Sequence, residues 1–391
     1  MTAPSPNPTV TCHLCGSPDL ELSVAYPSFH RVTSDCKAWA PGGGLARCRT
    51  CGLVQTTVSP AWSAEADRIY QSYTIYHQSG GTEQRVFDGR GGAGRPRSEQ
   101  IIDALRQAER LPERGRLLDI GCGNGGFLSA WSRLIPGWTL AGTEFDAKYQ
   151  REVESIPGFE RLHFGEVKDI PGTFDVITLI HVLEHIPSPL GLLQQLRDKL
   201  NPGGLLLVEV PDCGQNVFML LVADHCSHFS PPLLAGVVAA SGLQVTQATN
   251  TWVTKEVSVV ARRIDSPASC AAAGTSAIRL PAAESARVFA GERELARIVE
   301  RVTPLLGRAQ FGLFGTAIAA TWLDAQTGGA ARFFVDEDLN RTGKTHFGRP
   351  ILAPQDVPCG AAVFVALPPV LSGPVSQRLR ALGRDLEVVV P

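Results

Sequence analysis

The feature that most constrains the fold is the run Leu117-Leu118-Asp119-Ile120-Gly121-Cys122-Gly123-Asn124-Gly125-Gly126-Phe127. A short apolar segment is followed at once by a glycine-rich turn and then by an amphipathic stretch, the pattern of a buried strand entering a helix. Glycines let the backbone turn tightly and let a ligand approach to van der Waals contact with the main chain. The alternation continues through RLLDI, WTLAGT, ERLHF, FDVITLI and LLLVEV, with amphipathic segments at 98–110, 125–134, 190–200 and 231–241. Strand and helix in alternation predict an α/β, doubly wound parallel sheet. LQVTQA and EVSVVAR follow one another with no helix between them, so a closing hairpin and an antiparallel edge are expected.

Two further parts flank this unit. Residues 11–68 hold Cys12-x-x-Cys15 and Cys48-x-x-Cys51, each followed by a glycine, Gly16 and Gly52, with 32 residues between the pairs. Two residues between thiolates let both sulfurs face one ion, and the glycine lets the turn close with N–H groups aimed at sulfur. Four thiolates complete a tetrahedral Zn²⁺ with no open position, so the metal is expected to be structural. An iron–sulfur centre is the competitor. Cys36, His13 and His30 are expected to be ordinary packing residues. Residues 1–10 read as a disordered leader, 69–96 as a connector carrying tyrosines, 97–262 as the doubly wound domain and 263–283 as a small-residue linker. Residues 284–391 form a smaller α/β, Rossmann-like unit, with one helix over 284–306 and the strands FGLFG, RFFVD, AAVFVAL and LEVVV. Its own turn, Gly312-Leu313-Phe314-Gly315-Thr316, is either a second nucleotide site or strand–helix packing.

Charge and composition narrow the function. The 391 residues carry 36 Lys and Arg against 38 Asp and Glu, a formal charge of −2. That balance lacks the basic surplus of a nucleic-acid binder, and no apolar run reaches the length of a membrane span. The N-terminus has neither a basic nor an apolar signal region, so a cytoplasmic protein is expected, with monomer as the default state.

The cofactor follows from the loop and what lies beyond it. Gly121, Gly123 and Gly126 also satisfy a dinucleotide fingerprint, but Asp119 before the turn and FDVITLIHVLEHIPSP further on point elsewhere. Asp-x-Gly-x-Gly-x-Gly resembles the S-adenosylmethionine (SAM) loop of class I methyltransferases, and FDVI…LEH with NPGGLLLVEVP resembles their later strands. The resemblance implies that Asp119, Gly121, Cys122 and Gly123 surround the methionine part of SAM. Glu144 then binds the ribose hydroxyls, Phe145 lies nearby, and Glu166 and Val167 border the adenine.

The chain as a whole, with VDEDLNRTGK…GRPILAP near its end, resembles the zinc-containing sugar C-methyltransferases over residues 10–391. That resemblance implies methylation of a carbon beside the ketone of a nucleotide-linked deoxysugar, a small-molecule partner with neither nucleic acid nor membrane involved. Such chemistry needs a base for the α-proton and donors for the enolate oxygen. The family's working positions correspond here to Tyr76, His181, Asp224 and His225, with His225 the expected base, Asp224 its helper, and His181 and Tyr76 near the carbonyl oxygen. Two positions depart from the family: Val222 stands where it has tyrosine and Asp224 where it has glutamate. His185 and His228 are expected to be structural, and Tyr70 and Tyr73 to pack a helix. The alternatives are an O- or N-methyltransferase of a sugar or other metabolite, an RNA methyltransferase, and a non-catalytic SAM or nucleotide-sugar binding protein.

Overall fold

The computed structural model describes residues 10–73, 83, 85–86, 94–264 and 278–391. The expected leader (save residue 10), Tyr76 with most of the connector, and residues 265–277 of the linker lie outside the described residues.

All seven expected central strands form: β1 (Arg116–Ile120), β2 (Thr139–Thr143), β3 (Phe159–His163), β4 (Phe174–Ile180), β5 (Leu200–Pro211), β6 (Gln244–Thr249) and β7 (Glu256–Arg262). They make one sheet in the order β3-β2-β1-β4-β5-β7-β6. β1 to β5 are parallel, and β7 is antiparallel to both of its neighbours. The last strand in sequence is thus antiparallel, as expected, but it lies inside the sheet and β6 takes the edge. Side-chain pattern explains the placement: Val257, Val259, Val260 and Ala261 are all buried, whereas β6 alternates between exposed and half-buried residues. A strand apolar on both faces belongs inside a sheet, and an alternating one tolerates its rim. Helices Arg97–Ala108, Gly126–Leu134, Pro189–Lys199 and Pro231–Ala240 fall where the periodicity put them.

The strand order reverses between β1 and β4, which opens a crevice beyond their carboxyl ends. The glycine loop leaves β1 there and His181 leaves β4 there.

The cysteine-bearing part is tied to this domain by shared backbone. Strands Leu20–Leu22, Leu45–Cys48 and Val54–Thr56 form a sheet whose fourth member, Ser227–His228, comes from the segment after β5. Further bonds hold that segment: Ala223 N–H to Val32 O at 2.8 Å, Thr56 Oγ1 to His225 O at 2.8 Å, Trp62 Nε1 to Ala223 O at 2.9 Å and Tyr26 OH to Leu220 O at 2.6 Å.

The C-terminal unit has five parallel strands and one short antiparallel rim strand. Its expected leading helix is broken into Ala282–Phe289 and Gly291–Val302, followed by a 3₁₀ turn at Thr303–Leu305. Gly291 at the break packs so closely on the segment after β5 that a Cβ would meet Leu220 at 2.9 Å. Trp322 of this unit packs on Phe29 at 6.3 Å and Phe218 at 5.8 Å between ring centroids, so one buried core runs through all three parts.

Candidate active site

The turn after β1 is built for close approach. Gly121, Gly123 and Gly125 have φ of 64°, 58° and 77°, left-handed values that a side chain disfavours. A Cβ on Gly121 would meet Val182 at 2.7 Å. Asp119 is buried and accepts a hydrogen bond from Thr178 Oγ1 at 2.6 Å; burial raises its carboxyl to about 7. Glu144 folds over the loop, accepting from Gly123 N at 2.5 Å and Phe145 N at 2.9 Å. The Phe145 ring beside it is 95% exposed, a bare aromatic face at the rim of the crevice. Cys122 is buried with its sulfur against Gly142 of β2, Val167 is buried, and Glu166 points outward in an ion pair with Lys168 at 2.6 Å.

A second group of side chains gathers on the neighbouring strand ends. His181 ends β4 in a left-handed conformation, φ 56°, fixed by its N–H on Glu209 O at 2.8 Å. Its Nε2 lies 3.3 Å from Glu256 Oε2, on β7, and its Nδ1 lies 3.5 Å from Glu184 Oε1. His181 keeps partial exposure at the crevice, whereas the ring of His225 is buried, 3% exposed, and stands edge-on to His185 at 4.6 Å. Burial holds both His181 and His225 below the ordinary histidine range, so both imidazoles are neutral at pH 7. Both oxygens of Glu184 and Glu209 Oε1 are buried without a hydrogen-bond partner among the described residues, Glu209 Oε1 lying 4.0 Å from Arg97 Nε, while His181 Nε2 and Glu256 Oε2 face one another. Native interiors seldom leave such groups unsatisfied, and their concentration here marks a place where another molecule completes the bonding.

Asp224 corrects one expectation. Its carboxylate accepts from Ser34 N at 2.9 Å and Ser34 Oγ at 2.5 Å, and its Oδ2 lies 3.4 Å from His185 Nδ1. It therefore orients His185, not His225, because the segment after β5 is clamped against the cysteine-bearing part and turns this side chain toward Ser34. His185, expected to be structural, stands at the centre of the cluster. Tyr70, expected to be helix packing, puts its hydroxyl 3.1 Å from His185 Nδ1. Spacing alone did not mark either residue, since their partners are more than 30 positions away. His228 is buried in the module sheet and pairs with Thr56 Oγ1 at 3.2 Å, a structural place as expected.

Basic side chains from two units meet at the same edge. Lys255, φ 73°, precedes β7, and burial together with the charges of Arg341 and Arg97 holds its ammonium below the ordinary range. Arg341 belongs to the C-terminal unit and lies 3.1 Å from Thr316 of its glycine turn and 3.5 Å from Asp336.

Cys12, Cys15, Cys48 and Cys51 come together with their sulfurs within 4.8 Å of one another, Cys12 with Cys51 at 3.5 Å and Cys15 with Cys48 at 3.6 Å. Four sulfurs about 2.3 Å from a common tetrahedral ion would be about 3.8 Å apart. Gly16 and Gly52 take φ of 76° and 89°, and Cys48 and Cys51 sulfurs accept the N–H groups of Cys51 at 3.4 Å and Leu53 at 3.5 Å.

The family described as "Methyltransferase domain" matches residues 94–248. This chain carries a methyltransferase domain. The cysteine-bearing part and the C-terminal unit lie outside the matched residues. Among curated proteins, the chain is 29% identical over 138 residues to a ubiquinone biosynthesis O-methyltransferase of Xanthomonas campestris pv. campestris, covering 33% of this chain and 57% of that protein. It is 30% identical over 122 residues to a trans-aconitate 2-methyltransferase of Deinococcus radiodurans, covering 30% and 43%. The chain thus spans about half the length of these relatives. Among solved structures, a SAM-bound amino pentose methyltransferase from Micromonospora echinaspora is similar at 19% identity and TM-score 0.35, covering 49% of this chain and 97% of that one. The mitomycin 7-O-methyltransferase is similar at 22% identity and TM-score 0.37, covering 43% and 53%. Asp119, Gly121, Glu144, His181, Glu184, His185 and His225 lie within the matched residues, and Lys255 and Glu256 lie beyond them.

Proposed function

We propose that the protein transfers a methyl group from SAM to a carbon beside the ketone of a nucleotide-linked deoxysugar. The observation that carries this reading is the juxtaposition, across one crevice, of the glycine loop after β1 with the neutral His181 and its unsatisfied carboxylate neighbours. When bound, SAM supplies an electrophilic sulfonium methyl. Gly121 and Gly123 leave room for its methionine part, Glu144 offers two carboxylate oxygens to a ribose diol, and the exposed Phe145 ring suits an adenine face.

His181 is the proton acceptor in this reading. It is neutral, partly exposed and backed by Glu256, which stabilises the imidazolium once the proton arrives. His225, the base expected from the resemblance, is buried, and Asp224 faces Ser34 and His185. The acceptor's C–H bond breaks toward His181, the carbanion takes the methyl, and the carbon–sulfur bond of SAM breaks to leave S-adenosylhomocysteine. Lys255, Arg341 and Arg97 supply positive charge where two units meet, which suits the diphosphate of a nucleotide-linked substrate. The four thiolates form a closed donor set whose N–H···S bonds suit Zn²⁺, and we assign that ion a structural role.

A second reading, transfer to a hydroxyl oxygen, is favoured by the O-methyltransferase names among the relatives and by Val222, which is buried and brings no donor to an enolate. The test incubates the protein with methyl-labelled SAM and dTDP-, GDP- and CDP-4-keto-6-deoxysugars. A label on ring carbon by NMR supports C-methylation; a label on oxygen supports the second reading, and none with any sugar overturns both for this substrate class. Solvent deuterium entering the substrate beside the ketone without SAM separates the two routes independently, because only C-methylation makes an enolate.

A further inference from the structure

The histidine cluster has more donors than one proton transfer uses. Glu184, His185 and His225 each bring a ligand-type atom within 4.8 Å of the other two. We infer a second metal centre here, a two-histidine, one-carboxylate site for a first-row divalent cation such as Zn²⁺ or Mn²⁺, distinct from the four-cysteine site. Its existence stands on these side chains; its part in the reaction rests on the methyl-transfer reading above.

Glu184 makes the strongest demand. The residue is 1% exposed, and neither carboxylate oxygen accepts a hydrogen bond among the described residues. A carboxylate withdrawn from water in this way is costly unless paired or coordinated to a cation. The only side-chain nitrogen recorded within ion-pair distance of it, among the described residues, is that of His181 at 3.5 Å.

His185 already has the outer support that metal-binding histidines carry. Its Nδ1 lies 2.9 Å from the Asp224 carbonyl oxygen and 3.4 Å from Asp224 Oδ2, and that carboxylate is itself anchored by Ser34. An N–H held at Nδ1 fixes the tautomer and leaves Nε2 as the donor, the carboxylate–histidine–metal arrangement. His225 completes the set as a buried neutral imidazole, the form that coordinates. Donors about 2.1 Å from a tetrahedral ion are about 3.4 Å apart, so these atoms, within 4.8 Å of one another, draw together on binding. Imidazole and carboxylate together favour zinc, iron or manganese over calcium or magnesium.

Three protein ligands leave a coordination position open. An ion there polarises a substrate carbonyl or hydroxyl oxygen as a Lewis acid. It takes over the oxyanion stabilisation that Val222, which carries no hydroxyl, does not supply, and leaves proton removal to His181.

The test is stoichiometric and does not depend on turnover. Protein with its cysteine site filled by zinc is titrated with Co²⁺, and metal per chain is measured by inductively coupled plasma mass spectrometry. The expected result is one further equivalent, with weak visible d–d bands and no thiolate charge transfer. Glu184→Gln and His185→Gln should weaken that equivalent at least tenfold while zinc per chain and SAM affinity stay unchanged; Asp224→Asn, acting through His185, should weaken it by about 10-fold or more. Saturation of the wild-type protein at one metal per chain overturns the site, as do cobalt bands that persist in both variants. If a variant does not fold, the wild-type stoichiometry still decides. A bound second ion with no methyl transfer to any acceptor sinks the proposed function alone; transfer with one ion per chain sinks this inference alone.

Discussion

The two donor clusters of this protein are built in opposite ways. The four cysteines come from two local turns of one small unit, and their sulfurs sit in mutual contact with N–H groups already directed at them. The histidine–carboxylate cluster draws on the ends of β4 and β7 and on the segment after β5, and it leaves buried oxygens unsatisfied. In the reading proposed above, the first geometry is closed and serves the fold, and the second is incomplete and serves a ligand. Stability and function are thereby separated, although the segment carrying His225 hangs on the cysteine unit through a shared strand.

The largest effect that would break this contrast is expected at the cysteines. Cys48→Ser should remove one metal per chain and cost on the order of 4 kcal/mol or more, since structural metal sites contribute folding energy directly. Thermal unfolding followed by circular dichroism checks it. With the histidine site empty, Glu184→Gln should leave the melting temperature unchanged or raised, because burial pushes this carboxyl well up toward its neutral form and the amide keeps its shape. Equal destabilisation by the two changes would erase the distinction between the clusters.

Next in size, His181→Ala should lower turnover by about 100-fold or more while SAM affinity is retained, as expected for loss of a general base. A loss confined to KM would assign His181 to binding instead. Glu144→Ala should weaken SAM by about tenfold, the scale of a lost charged hydrogen bond, with turnover at saturation little changed. Isothermal titration reads that change.

A pH dependence sharpens the contrast from the structural side. Burial pushes His228 down to about 3 and His13 down to about 4. Below about pH 6.5 the unfolded chain takes up protons that these folded residues refuse, so stability is full above that value and falls progressively toward pH 4. Urea midpoints across this range should show the slope, and His228→Gln should flatten it. The smallest effect is expected for Tyr70→Phe, a few-fold loss of turnover from one hydrogen bond to His185, visible in kcat with metal content unchanged.

Legibility in the sequence follows the range of the interactions. The strands of the central sheet were readable because burial on both faces imposes continuous apolar runs such as FDVITLI, and the glycine turn because left-handed backbone demands glycine. The cysteine site was readable because two-residue spacing is local chemistry. The internal place of β7 was misjudged, since a hairpin is equally compatible with either strand at the rim and only packing against β5 chooses. Asp224 was assigned to His225 by the family resemblance, yet the clamp from Val32, Ser34 and Thr56 turns it toward His185. His185 and Tyr70 passed as structural because 115 positions separate them in sequence while 3.1 Å separates them in space.

What the sequence determined by itself is thus the set of local commitments: a doubly wound sheet, a glycine loop preceded by Asp119 with Glu144 after the next strand, and two Cys-x-x-Cys turns. Those follow from backbone sterics, periodicity and ligand spacing, each acting within a few residues. The tertiary structure decided which histidine meets which carboxylate, because those contacts depend on how the segment after β5 is threaded between the cysteine unit and β4. Pairings made at long range are settled by packing of the whole core, and packing is not written in any one stretch of chain.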